Sequence, residues 1–395
     1  MTPGIRIGQD DVLVSGIKPT GVPHLGNVVG MMRPAVDIAG EVASFLFVAD
    51  LHALTTVRNG AELRGHVHDA AAALLALGVD ADRTVLFRQS DIPQILELAW
   101  VLACLAPNPV LERAHAFKAA ASEGVEPSLG LFSYPVLMAA DILALGGTIV
   151  PVGADQRQHV EITRDLARRF NHAYGGALPV PRAEVAPSAA MIPGLDGRKM
   201  SKRYGNTIPL TATPGERRAL VRKIVTDSSA ADAPKDPDAS AVVEIFRHFA
   251  GPDAVRRMTE GLSSGRMGWA EAKDALADAL DRELEPVRER FLRMRADEQR
   301  LEAILHDGAE RARIRAGEIL ASVRELTGIG GPAVGRLEPG PDRSRRGGST
   351  RTGTTGSAGP EIEDQLDDAL DMTFPASDPV AIRSGRAEPP KEGGA

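Results

Sequence analysis

Four cations fall within six residues in Arg198-Lys199-Met200-Ser201-Lys202-Arg203, and Gly194, Gly197 and Gly205 flank them. Lysines on such a loop can be brought onto an anion whose charge grows in a transition state. A basic run alone is usually only a solvated surface. A second stretch, Ser15-Gly16-Ile17-Lys18-Pro19-Thr20-Gly21-Val22-Pro23-His24-Leu25-Gly26-Asn27, links an apolar run to a helical pattern over Val28 to Ala39. Its glycines let backbone approach a ligand. Gly26-Asn27 stands where a helix start offers free N–H groups to phosphate, with His24 and Asn27 as added side-chain donors. By itself this would be an ordinary turn; two phosphate-type loops in one chain are less ordinary. The third feature is Asp141, an acid inside the apolar segment Leu137 to Leu145. A buried carboxylate without a donor is costly, so Asp141 needs one.

These residues require a scaffold. From Val12 to about Val152 short β-branched runs alternate with helical stretches, as in βαβ units on a parallel sheet. Strands are predicted at Val12-Leu13-Val14-Ser15, Phe45-Leu46-Phe47-Val48-Ala49, Thr84-Val85-Leu86-Phe87 and Thr148-Ile149-Val150, with a helix over Glu62 to Gly78. Ligands on such sheets sit at the carboxyl ends of the strands. After about Asn206 the pattern is helical: Glu216 to Val225, Ala241 to Phe249, Trp269 to Arg300 and Leu301 to Leu326. The fold class predicted is α/β: a Rossmann-like catalytic domain over 1–205, then an all-helical domain over 206–328 whose last helix packs back on the first. Residues 329–395, rich in Gly, Pro, Ser, Thr and Arg, are expected to form a disordered tail. Within it Ile362 to Ile382 reads as a solvated terminus or as a segment that folds on a partner.

With 46 basic and 53 acidic residues the net charge is −7, which argues against indiscriminate nucleic-acid binding but leaves room for a local basic stripe. The single cysteine, Cys104, excludes an internal disulfide or a multi-cysteine metal site, and its surroundings read as those of a small buried hydrophobe. No apolar run reaches the ~20 residues of a membrane span, and Met1 to Asp11 lacks the apolar region of a secretory signal. A cytoplasmic location is expected.

The motifs together resemble a known family. His24-Leu25-Gly26-Asn27 and Lys199-Met200-Ser201-Lys202-Arg203 resemble the two signature motifs of class I aminoacyl-tRNA synthetases. Between them, Tyr134-Pro135-Val136-Leu137-Met138-Ala139-Ala140-Asp141-Ile142-Leu143 and Val150-Pro151-Val152-Gly153-Ala154-Asp155-Gln156-Arg157-Gln158-His159 are similar to bacterial tryptophanyl-tRNA synthetases. The similarity covers roughly Val12 to Gly328.

The resemblance implies activation of L-tryptophan by ATP, with Mg²⁺ arriving on the nucleotide, and transfer of the tryptophanyl group to tRNA(Trp). It implies that His24, Asn27, Lys199 and Lys202 are catalytic. Lys18, Gly26, Gly153, Asp155, Met200 and Ser201 would complete an ATP site, with Asp155 reading the ribose. Val14, His52, Tyr134, Met138, Asp141, Val150, Val152 and Gln156 would line a tryptophan site, His52 being equally readable as structural. Asp141 would accept the indole N–H, which phenylalanine lacks. A homodimer is likewise implied.

Val14, Lys18 and Ala116 depart from the better-known pattern, as does Arg113-Ala114-His115-Ala116-Phe117-Lys118 around the last of them. They imply a divergent second branch with altered sensitivity to tryptophan-mimicking inhibitors, and they leave the amino-group contacts the least secure. In the helical domain Arg217, Arg218, Arg222 and Lys223 offer either a start for tRNA phosphate contacts or plain exposed charge. The stretch from Leu51 to Pro135 is too short for an inserted editing domain. The sister tyrosine enzyme and a non-catalytic tRNA-binding paralogue remain alternatives.

Overall fold

The computed structural model describes residues 8–112, 128–153, 157–176, 178–184 and 192–330. All of these fall within one compact unit, Met1–Gly331. Five strands, β1 (Val12–Ile17), β2 (Ala43–Val48), β3 (Val85–Arg88), β4 (Ile149–Pro151) and β5 (Arg182–Glu184), form a parallel sheet in the order β3-β2-β1-β4-β5. The chain winds outward from β1 in one direction to β3 and in the other through β4 to β5. The crevice at the carboxyl ends of β1 and β4 is therefore the topological switch point, where open sheets of this kind bind ligands.

Four strands lie where alternation and β-branching place them. β5 is not signalled by any apolar run; tertiary pairing makes it. Arg182 N donates to Thr148 O at 2.8 Å, and the Arg182 guanidinium pairs with Asp11 at 2.6 Å and Glu184 at 2.9 Å. That ion pair holds the Asp11 carboxyl well below the usual carboxylate range.

Both sheet faces are buried. Leu13, Leu46, Val48 and Leu86 lie on one side, where α4 (Gly60–Leu77) covers them. Asn59 caps the start of α4, and Gly78, with φ of 116°, ends it in the left-handed region that a side chain would disfavour. Val14, Phe45, Phe47 and Phe87 lie on the other side, under α5 (Pro93–Ala103), α7 (Leu129–Leu143) and α8 (Arg157–Tyr174). Between them in the chain come α1 (Leu25–Asn27), a π-helical turn (Val28–Met32), α2 (Arg33–Ile38), α3 (Asp50–Ala53) and α6 (Asn108–Glu112). Cys104 corrects an expectation: it is exposed, because the buried stripe of α5 is Ile95, Leu98, Val101 and Leu102 and the helix ends at Ala103.

Residues 206–330 contain α9 (Pro214–Arg222), α10 (Ala241–Phe249), α11 (Pro252–Ser263), α12 (Trp269–Ala296) and α13 (Glu298–Thr327). α11 was not among the helices read from the sequence. The boundary between the last two helices falls at Asp297, whose side chain accepts from Arg300 N at 3.0 Å and so starts a new helix. The apolar core of the α4 face continues through Val221, Val242, Phe246, Leu276, Leu284 and Leu301. α13 then returns to lie along β3, the edge strand. The tail beyond 330, with Ile362 to Ile382, and the segment Arg113 to Lys118 with Ala116 lie outside the described residues. Among the described residues no helix is long and apolar enough to cross a membrane.

The basic cluster of α9 is not the free surface its composition allowed. Arg217 is fully buried; its Nε donates to Asp281 at 2.7 Å and its Nη1 to Ala212 O at 2.6 Å, and it also pairs with Glu285. Arg218 pairs with Asp274 and Asp278. With Arg222 4.0 Å from Asp274, three of the four cations thus face acids of α12, Arg217 and Arg218 most closely. Arg217→Met is expected to take the buried partner from Asp281 and Glu285, leaving Arg288 at 2.9 Å from Glu285 and Arg218 at 3.9 Å from Asp281, and to destabilise the fold by about 3 kcal/mol. A midpoint in chemical denaturation within experimental error of the parent's would refute this.

Candidate active site

β1 ends at Ile17 and delivers the first loop to the crevice. His24 caps α1: its Nδ1 accepts from Gly26 N at 3.1 Å, while its own backbone N–H donates to Asn27 Oδ1 at 3.1 Å. With Nδ1 accepting, the proton of the neutral ring sits on Nε2, which becomes a donor, and the Asn27 amide NH₂ is left as a second. A Cβ at Gly26 would come within 2.9 Å of His24 Cε1, so any side chain there would push the ring off its cap. Burial, aided by the charge of Lys202, pushes the His24 pKa down to about 4. Followed by NMR, the His24 ring is therefore expected to stay neutral from pH 8 to pH 5 and to titrate near 4. An ordinary midpoint near 6.5 would contradict the geometry. Between 6.5 and about 4 only the unfolded chain takes up this proton, so the group lowers stability as pH falls through that window.

The second loop is anchored at both ends. Met200 is buried, with its N–H donating to Ile192 O at 2.9 Å, and Pro193 bridges Lys199. Asn206, also buried, accepts from Ser201 N at 2.8 Å and donates to Asp196 at 2.6 Å and to Lys199 O at 3.2 Å. The two loops are stitched together by Leu25 N donating to Ile208 O at 3.0 Å and Leu210 N donating to Pro23 O at 2.9 Å. Lys202 reaches across, its Nζ donating to Thr20 O at 2.7 Å. Partial desolvation of that ammonium lowers its pKa, with Asp69 opposing. Lys199 is exposed on the same loop.

Beside this cradle lies a buried polar knot. Asp141, on α7 and 1% exposed, accepts from Gln89 Nε2 at 2.7 Å on Oδ1 and from His52 Nε2 at 2.9 Å on Oδ2. Burial pushes its pKa up, and the bonds from His52 and Gln89 oppose that shift. It is not a surface aspartate. Tyr134 packs edge-on to the His52 ring at 6.4 Å and its hydroxyl bonds His159. Val14, Val150 and Val152 are buried in the core of this sheet face, with Met138 against it. Val14 lies over Gly147, where a Cβ would meet it at 2.8 Å. Lys18 is drawn to Thr55, donating at 2.9 Å, and its half-burial lowers its pKa. Gly153 follows β4, whereas Asp155 and Gln156 lie outside the described residues. Gln89 was missed from sequence, although its place immediately after β3, at a strand's carboxyl end, was the signal. Among the described residues no group of three or more His, Cys, Asp or Glu side chains is placed to hold a metal ion.

The chain has counterparts among known proteins. Residues 9–285 match the family model of class I tRNA synthetases (W and Y). A tryptophan–tRNA ligase of Rhodopirellula baltica is 44% identical over 317 residues, which are 80% of this chain and 99% of that one. The chain belongs to the tryptophan–tRNA ligase family. A second member, from Neisseria meningitidis, is 42% identical over 328 residues, covering 80% of this chain and 97% of its own. Among solved structures, tryptophanyl-tRNA synthetase of Campylobacter jejuni, complexed with ADP and tryptophan, superposes with a TM-score of 0.73 at 36% identity. It covers 80% of this chain and all of its own length. The parallel sheet and helices are thus those of the family.

Proposed function

We propose that this protein attaches L-tryptophan to tRNA(Trp) in the cytoplasm, as a homodimer, using ATP and releasing AMP and diphosphate. The observation that carries the reading is the approach of Lys202 to the first loop at Thr20, the loop that also carries the capped His24 and Asn27, on the same sheet end as the buried Asp141. In the first step a tryptophan carboxylate oxygen bonds to the α-phosphorus of magnesium-bound ATP and the bond from that phosphorus to the pyrophosphate oxygen breaks. No protein nucleophile is needed. Catalysis lies in alignment and in neutralising charge that spreads over phosphate oxygens. His24 and Asn27 hold the triphosphate, with Lys18, Gly26, Gly153, Met200 and Ser201 shaping its site and Asp155 binding the ribose. Lys199 and Lys202 stabilise the departing pyrophosphate. The metal is carried in by the nucleotide.

Asp141 takes the indole N–H between Val14, Met138, Val150 and Val152, with His52 a further pocket residue bonded to it, and Tyr134 and Gln156 lie toward the amino acid's polar end. In the second step a ribose hydroxyl of the tRNA's terminal adenosine attacks the adenylate carbonyl and AMP leaves. The helical residues 206–328 serve the anticodon arm. Exchange of labelled pyrophosphate into ATP should require tryptophan and should not be supported by tyrosine or phenylalanine. Exchange with tyrosine instead, or with no amino acid, would overturn the proposal.

A further inference from the structure

The donors on Asp141 are not equivalent in how they are held. Gln89 is fully buried, and its Oε1 accepts from Leu51 N at 3.1 Å and His52 N at 3.4 Å. Two N–H groups on one oxygen settle the amide's orientation, so the NH₂ faces Asp141. The opposite side of the same junction is locked in return. Asp50 accepts from Ser90 N at 3.0 Å on Oδ1 and from the Ser90 hydroxyl on Oδ2. The carboxyl ends of β2 and β3 are therefore cross-tied by two neighbouring side chains, one pointing each way. The product of this tie is an N–H fixed at 2.7 Å from Asp141 Oδ1.

Gln89 and His52 occupy different oxygens of Asp141, which fixes the plane of the carboxylate and leaves further lone pairs for a third donor. We propose that Gln89 is a positioning residue: it aims the Asp141 carboxylate at the substrate's ring N–H and so sets the preference for an indole over an isostere without that hydrogen. The inference rests on the reading of Asp141 as the indole acceptor. Without the Gln89 donor the carboxylate can rotate about its bond to Cβ, and in so buried a place it is more easily protonated, offering an O–H where an acceptor is needed. Indole binding would then lose its reward, while a ring without N–H would lose little.

The test compares tryptophan with its benzothiophene isostere, in which sulfur replaces the ring N–H, by pyrophosphate exchange on the full chain. Gln89→Met removes the donor, and Gln89→Asn keeps an amide but draws it back by one methylene. Retained activity on the isostere reports that each variant is folded. Both are expected to lower kcat/KM for tryptophan about 10- to 100-fold while the isostere changes by less than about threefold. Parallel losses on both substrates would reduce Gln89 to fold support and overturn the proposal. Asp141→Ala, which removes the acceptor altogether, separates the two failures. If it abolishes the preference and the Gln89 variants do not, only this inference falls. If Asp141→Ala leaves the preference intact, the acceptor reading falls, and this inference with it.

Discussion

Lys202→Ala is expected to slow tryptophan-dependent pyrophosphate exchange by about 100- to 1,000-fold, the range seen when one charge-stabilising donor is removed from a reacting phosphate or oxyanion. The side chain is exposed and its hydrogen bond goes to a carbonyl on the first loop, so little of the fold depends on it. Stability should stay within about 0.5 kcal/mol of the parent's. Arg198 provides the comparison on the same loop. Its guanidinium pairs with Asp196 and lies over the Tyr204 ring at 4.4 Å, so Arg198→Ala should leave exchange within about threefold. Equal losses in the two variants would show that general loop charge, rather than the reach of Lys202, matters. A Lys202→Ala protein exchanging at the parent's rate would remove the lysine from the mechanism.

The same substitution made twice on α13 is expected to act in opposite directions. A Cβ at Gly308 would lie 1.9 Å from Leu86 O and 2.6 Å from Leu86 C, both backbone atoms of the edge strand. Neither can swing away as a side-chain tip could. Gly308→Ala must lift the helix off β3 and with it loosen Ala309, Ala312 and Ala316 from the core beneath. A loss of about 3 kcal/mol is expected, or roughly 6 to 12 °C in melting temperature. At Gly317, where a Cβ meets nothing within 4 Å, Gly317→Ala should instead stabilise the helix by up to about 1 kcal/mol. Paired melting curves decide it, and a Gly308→Ala protein as stable as the parent would mean that α13 does not lie on β3.

Much of the scaffold of the candidate site could be read locally. Val12 to Ser15 and Phe45 to Ala49 carry enough β-branched and aromatic residues to be strands in almost any setting, and the loop after the first of them holds the glycines its close turn demands. Asp141 announced itself because nothing around it in sequence could satisfy a carboxylate. Its actual partners, Gln89 and His52, come from two other strand ends. No periodicity within one element can report which distant amide will point at it.

The same limit explains the misreadings. Arg217 and Arg218 look alike as members of a basic helix start, yet one is sealed against Asp281 and Glu285 and the other sits at the margin with Asp274 and Asp278. Cys104 follows an apolar helix and its neighbours read as core, but the helix stops one residue earlier and turns it outward.

The amino-acid order alone therefore determined four of the five strands and most of the long helices, and singled out the glycine-rich and cationic loops and the buried acid as candidates for chemistry, since propensity, turn geometry and patterning act over a few residues. The tertiary structure decided the rest: that Lys202 meets Thr20, that Gln89 holds Asp141, that β5 exists at all, and that α13 closes the sheet edge through a glycine. Those outcomes depend on surfaces meeting across long stretches of chain, where burial and pairing energies are set by what arrives on the other side.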